Sequence, residues 1–476
     1  MEWNKAQKQA IENRGNNLLV AAAAGSGKTT VLIERIKRLI LEDRIPVDRF
    51  LIVTFTKAAA SEMKEKIVTA LTKAIDEAGS REDIVYLKRQ LDLVGRASIS
   101  TFHSFALDVI RRYFYLTDVE PDFRICDEAQ STLLKAQAVD ELFSDKFAEK
   151  NQDFIDFITC YASDRNERKA KDIILETYRM IQSIAEPFEW LEQMTENLSV
   201  SEEEFEESGL FDFVKEDTAG VIDFAEKIFG QIAELLSDAG VYSLSDKFET
   251  ALAEIRATDI SGMNYSQMKS AVSGIEIPRM AALKAEKEAY EPVKEQAVYL
   301  KDGVKKQLEY IRNRYYICEL SEYIEDINKT YRYACILKEL VTEFSSRFKA
   351  LKAEKSLIDF NDIEHYALEI LGHEEAAAEY RDKFEYIFID EYQDSNDVQD
   401  TLISRIKREN NLFMVGDVKQ SIYKFRLAEP ELFMKKYAEY SHSENSLKID
   451  LNQNFRSKGK VLAEVNTEFE SIMEDY

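Results

Sequence analysis

The sequence predicts an α/β protein with a parallel sheet and a large all-helical insertion. Short apolar runs alternate with helical patterns in residues 1–120 and again in 356–445. Such alternation is typical of a parallel sheet. A glycine-containing loop separates the first apolar run from its helix. Between the two α/β regions, residues 121–355 show helical periodicity, sparse glycine and few strand-like runs.

The first strand, loop and helix occupy Leu18–Thr30, which reads LLVAAAAGSGKTT. This order of elements predicts a phosphate-binding loop, because glycines let backbone N–H groups surround phosphate oxygens and the helix N-terminus adds a positive dipole end. Lys28 is expected to reach the β- and γ-phosphates, and Thr29 to hold Mg²⁺. An alanine-rich turn before an ordinary helix is the disfavoured alternative, although Ala22 replaces the usual first glycine. The predicted nucleotide-binding residues of the loop are Ala22, Ala23, Ala24, Gly25, Ser26, Gly27, Lys28 and Thr29.

Residues 2–13 predict an amphipathic helix that enters the first strand. Gln7 lies on this helix, where its side-chain amide could bind an adenine edge. A glutamine on a polar helix face is usually only solvated, so the residue by itself leaves both interpretations open.

Two further strand–helix units follow, with strands at Phe50–Phe55 and Ala97–Thr101. In parallel α/β sheets, polar ligands bind beyond the carboxyl ends of the strands. A ligand-binding edge is therefore predicted to include Thr54, Thr56, Thr101 and His103.

A later apolar strand, Tyr386–Ile389, ends in Asp390 and Glu391. Downstream of a phosphate loop, this pattern predicts that Asp390 helps to hold Mg²⁺ and that Glu391 polarises the attacking water as general base. The alternative is a charged turn after a buried strand. Two more strands are predicted, at Leu412–Val415 and Leu447–Leu451.

The stretch after the strand at 412–415 suits the coupling of a nucleotide to DNA. Gln420 is expected to hydrogen-bond the γ-phosphate and the attacking water. Phe425 offers a face for base stacking, worth about 1–3 kcal/mol per base, whereas Tyr423 could equally pack internally. Of the two arginines near strand ends, Arg426 and Arg456, we favour Arg456 as the phosphate-binding catalytic group, because it follows a separate strand that could begin a partner lobe. Such an arginine commonly contributes about 10³–10⁵ in rate.

Composition limits the class of protein. The net charge of −26 over 476 residues counts against a simple nucleic-acid-coating protein, but it does not exclude a motor that grips DNA in one local groove. Four dispersed cysteines argue against a disulfide framework or a zinc site. Because no apolar run is long enough for a membrane span and no signal peptide is evident, we expect a cytoplasmic protein without a membrane partner.

The ordered motifs AAAAGSGKT, VTFTKAAASEM, STFHSF, DEYQDSNDVQ, VGDVKQSIYKFR and LNQNFRS resemble those of UvrD-like superfamily 1 DNA helicases. Within that family, AAAAGSGKT together with GDVKQSIYKFRLAEP is most similar to the A subunits of AddAB-type helicase–nucleases. The resemblance covers roughly residues 1–115 and 355–460, about half of the chain.

The resemblance implies ATP-driven 3′→5′ movement on single-stranded DNA, within a complex that processes double-strand breaks for recombinational repair. ATP and Mg²⁺ are the implied cofactors. The implied partners are DNA, single-stranded and as duplex ends, and a B-type helicase–nuclease subunit. Gln7 falls where the family has its adenine-binding glutamine, and Phe425 where relatives often have a stacking tryptophan. The implied DNA track includes Thr54, Thr56, Thr101, Phe102, His103, Tyr423, Phe425 and Arg426.

The family architecture implies a RecA-like ATPase lobe in two parts, 1–120 and 356–445, with a helical subdomain at 121–355 and the start of a second RecA-like lobe at 446–476. We therefore expect an N-terminal portion of a longer protein, with nuclease activity only in the full-length product. The alternatives are an ATP- and DNA-binding module without unwinding activity, and a UvrD/Rep-type helicase without nuclease. A structural-maintenance or transport ATPase is disfavoured, because the chain has QSIYKFR and no LSGGQ segment.

Overall fold

The computed structural model describes residues 3–162, 167–424, 427–443 and 445–470, without the side chains of 467–470. The chain divides into two compact units. The sheet unit comprises Met1–Trp190 and Leu340–Tyr476, and the helical unit comprises Leu191–Glu339. The helical unit lies inside the predicted insertion at 121–355, whose boundaries stay a prediction.

Six strands of the sheet unit form one sheet in which every neighbouring pair is parallel, and two short strands pair separately. The α/β fold with a parallel sheet is thereby confirmed. The order across the large sheet is β3-β2-β6-β7-β1-β8. The strands are β1 (Asn17–Ala22), β2 (Phe50–Thr54), β3 (Ser98–Thr101), β4 (Arg124–Ile125), β5 (Leu357–Ile358), β6 (Tyr386–Asp390), β7 (Leu412–Gly416) and β8 (Ser446–Leu451).

Both faces of the large sheet are covered by apolar cores, as is usual for parallel sheets. Along β2, Leu51 and Val53 belong to the core on one face, while Phe50 and Ile52 belong to the core on the other. All four side chains are fully buried. The apolar run that identified this strand in the sequence is thus the consequence of its central, two-sided burial.

The last strand of the sheet corrects one prediction. β8 pairs in parallel with β1, from Asn17 opposite Ser446 to Ala22 opposite Leu451. The expectation that residues 446–476 begin a second lobe is wrong for this strand, because its main chain completes the first sheet. The residues after β8 therefore begin beside the end of β1.

Helices cover the sheet and build the helical unit. In the described residues the α-helices are α1 (Lys5–Glu12), α2 (Lys28–Leu41), α3 (Lys57–Glu77), α4 (Arg81–Leu93), α5 (Phe102–Tyr113), α6 (Glu128–Ala148), α7 (Gln152–Tyr161), α8 (Arg168–Ile181), α9 (Pro187–Glu196), α10 (Glu202–Glu206), α11 (Gly209–Asp238), α12 (Tyr242–Arg256), α13 (Tyr265–Gly274), α14 (Lys287–Tyr290), α15 (Lys294–Arg314), α16 (Leu320–Ala353), α17 (Phe360–Gly372), α18 (Glu374–Lys383), α19 (Asp397–Ile406), α20 (Pro430–Glu439) and α21 (Gly459–Glu470). Short 3₁₀ turns occur at Val47–Arg49, Phe114–Leu116, Lys284–Glu286, Tyr392–Asp394 and Val418–Gln420.

The helical unit has its own core, in which α11 packs against α12 and α15. Buried tyrosines of this core have hydrogen-bond partners for their hydroxyl groups: Tyr265 donates to the main-chain oxygen of Tyr315 at 2.5 Å, and Tyr316 bonds Thr218 at 2.7 Å. Such pairing removes the cost of burying a hydroxyl. Within the described residues, none of the helices combines the length and apolarity that a membrane span requires.

Candidate active site

The loop between β1 and α2 has the backbone of a phosphate-binding loop. Gly25 and Gly27 have φ of +72° and +87°, in the left-handed region that favours glycine. Gly27 is the N-cap of α2, so Lys28 and Thr29 open that helix. Inside the loop, the Ser26 N–H donates to the Ala23 oxygen at 3.1 Å. The glycines predicted from sequence thus stand where the turn requires them.

One buried hydroxyl indicates that this loop is built for a polar ligand. Ser26 is 1% exposed, and its Oγ has no hydrogen-bond partner among the described residues. A buried polar atom without a partner is costly, and it commonly marks a site for a ligand or water. A phosphate at the amino end of α2 fits this chemistry, because the helix dipole favours an anion there.

Three predicted catalytic side chains meet at the carboxyl edge of the sheet. The Lys28 Nζ lies 3.0 Å from Glu391 Oε2 and 3.4 Å from Gln420 Oε1. These residues follow β1, β6 and β7, which are neighbours in the sheet. The adjacency of three parallel strands therefore brings together residues that are up to 392 positions apart in the sequence.

A side chain that sequence reasoning missed holds Glu391 in place. The Gln393 Nε2 donates to Glu391 Oε2 at 2.9 Å, and Gln393 Oε1 accepts the Asp417 N–H at 2.9 Å. A Cβ at Gly416 would collide with Gln393 Oε1, so the glycine leaves the space in which this side chain reaches the Asp417 N–H. Glu391 itself has a left-handed φ of +55°. Non-glycine residues in that region are often found at functional sites. In the sequence, the feature that could have revealed this contact is the position of Gln393 two residues after Glu391, in DEYQD.

Asp390 is the last residue of β6, at the same edge as Thr29. Burial, followed by the charge of Glu391, raises the pKa of Asp390 to about 6. The same two causes raise the pKa of Asp394 to about 6. Among the described residues, no three His, Cys, Asp or Glu side chains gather to form an all-protein metal site. Mg²⁺ with substrate phosphates needs only one or two protein oxygens, so Thr29 and Asp390 fit that ion.

Gln7 contacts the phosphate loop through protein atoms. Its Nε2 donates to the Ser26 oxygen at 3.2 Å, and its Oε1 accepts the Asn4 N–H at 3.2 Å in a capping box at the start of α1. The side chain is buried. Its amide is thus oriented by the loop and by Asn4, and its role in adenine binding stays a prediction.

Arg456 lies on an exposed loop that follows β8. Its main-chain N–H donates to Asn454 Oδ1 at 2.9 Å, and the N–H of the preceding Phe455 donates to the Gly25 oxygen at 2.9 Å. The backbone before Arg456 therefore touches the phosphate loop. Contact of its guanidinium with a phosphate stays a prediction.

A pocket of about 240 Å³ adjoins the catalytic side chains. Its wall includes Thr54 and Thr56, two of the predicted DNA-track residues, together with Glu391 and Gln420. Thr56 caps α3 by accepting the Ala59 N–H at 3.0 Å, and Thr54 Oγ1 donates to the Thr56 oxygen at 3.1 Å. Both hydroxyls thus shape the loop between β2 and α3.

Two aromatic rings border the same pocket. The rings of Phe55 and Tyr423 lie 4.3 Å apart between centroids, at an angle of 36°. Tyr423 therefore packs against Phe55 while still lining the pocket. Phe425 and Arg426, also predicted to face DNA, lie outside the described residues.

The predicted residues at the end of β3 have different surroundings. Thr101 caps α5 by accepting the Ser104 N–H at 3.3 Å. Phe102 is 6% exposed and belongs to the sheet core, and its place in the DNA track stays a prediction. His103 is partly exposed, with Nδ1 3.5 Å from the buried Glu364 carboxylate and its ring 5.8 Å from that of Phe360. Phe360, which sequence reasoning missed, is 55% exposed.

Comparison of the sequence with known proteins identifies the family of this chain. A sequence model of the UvrD/REP helicase N-terminal domain matches residues 3–441. The A subunit of the ATP-dependent helicase/nuclease of Alkaliphilus oremlandii is 42% identical over 480 residues, which cover 99% of this chain and 39% of that relative. The proteins of the same name from Syntrophomonas wolfei and Bacillus velezensis are 40% and 38% identical, over 99% of this chain and 38% and 39% of their own lengths.

The chain spans about two fifths of the length of these relatives. The resemblance inferred from the ordered motifs, both to UvrD-like helicases and to the A subunits of helicase–nucleases, is confirmed by these matches. The family match covers the phosphate loop, β6 with its acidic end and the Gln420 segment. The chain therefore belongs to the UvrD/REP helicase N-terminal domain family.

Proposed function

We propose that this chain carries the ATP-binding lobe of an ATP-dependent DNA helicase that moves 3′→5′ on single-stranded DNA. The observation that carries the proposal is the meeting of Lys28 Nζ with Glu391 Oε2 at 3.0 Å and Gln420 Oε1 at 3.4 Å. In this proposal Lys28 binds the β- and γ-phosphates of ATP. We assign to Glu391 the acceptance of a proton from the attacking water, and to Gln420 the orientation of that water.

Thr29 and Asp390 are the residues that would hold Mg²⁺. When bound, this ion neutralises charge on the phosphates and orients them for attack. For this role Asp390 must be ionised, and Lys28 supports ionisation because its positive charge lowers the pKa of that carboxyl against the larger effect of burial.

DNA binding is supported by the exposed surface beside the ATP site. Tyr423 and Gln420 line the same pocket, so a strand that stacks on Tyr423 lies next to the residue proposed to contact the γ-phosphate. The exposed Phe360 ring, 5.8 Å from His103, offers a second stacking face. Aromatic faces bind single strands with little sequence preference, as a translocating motor requires.

The relatives share the name of A subunit of an ATP-dependent helicase/nuclease, and this name supports the assignment of the chain to a larger complex. We place this chain in a longer cytoplasmic protein that processes double-strand breaks together with a B-type helicase–nuclease subunit. Nuclease activity is assigned to that whole protein. A generic UvrD/Rep-type helicase without nuclease is the outcome if the full-length protein unwinds DNA but does not degrade it.

Lys28→Ala in the full-length protein tests the ATP site. The loss of a charge-assisted contact costs about 1.5–3 kcal/mol, so we expect about 10–150-fold weaker ATP binding and loss of DNA-stimulated hydrolysis. Lys37→Ala is the matched control, since Lys37 lies on the same helix and pairs with Glu34. Unchanged hydrolysis in Lys28→Ala would refute the assignment.

Tyr423→Ala tests the DNA surface separately. The loss of stacking predicts weaker single-stranded DNA binding by about 1–3 kcal/mol, measured by fluorescence anisotropy without nucleotide. Tyr115→Ala removes an exposed tyrosine elsewhere in the sheet unit and serves as control. Equal DNA affinity of the wild type and Tyr423→Ala would remove this pocket from the DNA track.

A further inference from the structure

The segment after β8 lies directly on the phosphate loop. The Ala23 N–H donates to the Leu451 oxygen at 3.1 Å, and the Phe455 N–H donates to the Gly25 oxygen at 2.9 Å. Between these two contacts, the Asn454 Nδ2 donates to the Ala24 oxygen at 2.8 Å. Three consecutive residues of the loop are thus hydrogen-bonded to one short segment, 451–455.

The Asn454 side chain connects the loop and this segment by using both ends of its amide. Its Nδ2 binds the Ala24 oxygen, while its Oδ1 accepts the N–H groups of Arg456 at 2.9 Å and Ser457 at 2.8 Å. The acceptor half forms a local turn that aspartate or serine could also form. The donor half has no part in that turn, and it serves only the phosphate loop.

Gly25 is shaped to receive this side chain. A Cβ at Gly25 would lie 2.8–2.9 Å from the Oδ1, Nδ2 and Cγ atoms of Asn454. The position also has φ of +72°. The glycine therefore serves two purposes: it provides the left-handed turn, and it leaves the space that Asn454 occupies.

We propose that Asn454 is a positioning residue that clamps the phosphate loop and fixes the start of Arg456 relative to it. This inference rests on the proposed ATP site. The Asn454 Nδ2 binds the Ala24 oxygen and the neighbouring Phe455 N–H binds the Gly25 oxygen, so both loop carbonyl groups are held by the segment 451–455. Because the same amide holds the Arg456 N–H, a shift of the loop on nucleotide binding is passed to the segment that carries this arginine.

Asn454→Ser tests the clamp in the full-length protein. Serine retains an acceptor for the local turn and adds no charge, but it is too short to donate to the Ala24 oxygen. One lost hydrogen bond corresponds to about 2–10-fold weaker ATP and ADP binding, measured with fluorescent nucleotide analogues. Asn452→Ala is the matched control, since Asn452 is an exposed asparagine of the same segment.

A double-mutant cycle with Arg456→Ala separates positioning from general stability. If Asn454 acts through Arg456, Asn454→Ser lowers kcat in the wild-type background and has no further effect on kcat in Arg456→Ala. Urea midpoints are expected to be equal for the wild type, Asn454→Ser and Asn452→Ala.

Three results would overturn the clamp: wild-type nucleotide affinity in Asn454→Ser, fully additive effects on kcat, or a large fall in its urea midpoint. A wild-type protein that binds no ATP would instead overturn the proposed function, so the two failures are distinguishable.

Discussion

Lys28 and Glu391 form an ion pair, with 3.0 Å between Nζ and Oε2, and the carboxylate also accepts Gln393 Nε2 at 2.9 Å. Glu391→Gln keeps the shape of the side chain but removes the base. We expect ATP to bind at least as tightly, because a negative charge near the phosphates is lost. Hydrolysis should fall by about 10²–10⁴-fold, as measured in single-turnover assays.

The control for this variant is Glu385→Gln, at the residue that immediately precedes the same strand. That end of β6 faces away from the ligand-binding edge, so turnover should equal that of the wild type. Wild-type turnover in Glu391→Gln would show that another group removes the proton.

Asp390 carries a testable pH dependence. Burial and then Glu391 raise its pKa from 3.8 to about 6, against the opposing charges of Lys28 and Lys66. Since the folded state binds this proton more tightly than the unfolded state, the group costs no stability below about pH 4. The loss in free energy of unfolding that comes from ionising the buried carboxyl grows between about pH 4 and about pH 6, and it is complete above that. Asp390→Asn should therefore raise the urea midpoint of the nucleotide-free protein at about pH 7.5.

The same variant should show little gain in urea midpoint at about pH 4, where the wild-type carboxyl is already protonated. Its Mg²⁺-dependent hydrolysis should be lost, because the amide does not replace a carboxylate ligand. A stability gain that is equal at both pH values would show that ionisation of Asp390 is not its source.

The sequence predicts that Lys28, Glu391 and Gln420 lie near one another, because each follows an apolar run that indicates a buried parallel strand. Residues at the carboxyl ends of such strands converge on one edge of the sheet. Local patterns sufficed for these residues, and the order of the strands then brought them into contact.

Other features depend on pairings that no local pattern encodes. The place of β8 beside β1 joins residues more than 400 positions apart, and the strand looks the same in the sequence whichever lobe it enters. Phe102 opens α5, where its identity as an aromatic residue does not reveal that it turns into the core. Gln393 and Asn454 act through side-chain hydrogen bonds to residues of other segments, which become visible only when the backbone is placed.

Lys352, Asp359 and Asp362 form a charged triad in the sheet unit, and we expect its disruption to lower stability strongly. Lys352 is 3% exposed, and its Nζ lies 3.0 Å from Asp359 and 2.5 Å from Asp362. These bonds join the end of α16 to the start of α17. Lys352→Met would leave the buried Asp359 carboxylate and the partly buried Asp362 carboxylate without their cation, so we expect the free energy of unfolding to fall by about 3–5 kcal/mol, as measured by urea denaturation.

Lys349→Met is the control for the triad, because its 55% exposed side chain should contribute about 0–1 kcal/mol. The deficit of Lys352→Met should shrink at acid pH, where protonation neutralises the stranded carboxyls. A deficit that does not change with pH would assign the loss to packing against Phe348, whose ring centre lies 4.1 Å from Nζ.

Arg35 links the helix that carries Gln7 to the helix that follows the phosphate loop. Its guanidinium is buried and donates to the main-chain oxygens of Ala10 and Asn13, both at 2.8 Å, at the end of α1. Arg35→Ala removes this cap and opens a cavity, so we expect a loss of about 2–5 kcal/mol in the free energy of unfolding. Because α1 would lose its buried attachment to α2 and keep only the surface pair between Glu12 and Arg38, the Gln7–Ser26 contact should also loosen and ATP affinity should fall.

Arg38→Ala is the control for Arg35→Ala, because it removes a different arginine from the same helix. Arg38 pairs with Glu12 and Glu34 at the protein surface, where such pairs contribute about 0–1 kcal/mol. ATP affinity measured well below the unfolding transition should fall in Arg35→Ala and not in Arg38→Ala. If Arg35→Ala is destabilised but binds ATP like the wild type, Gln7 is held in place by Asn4 and the loop alone.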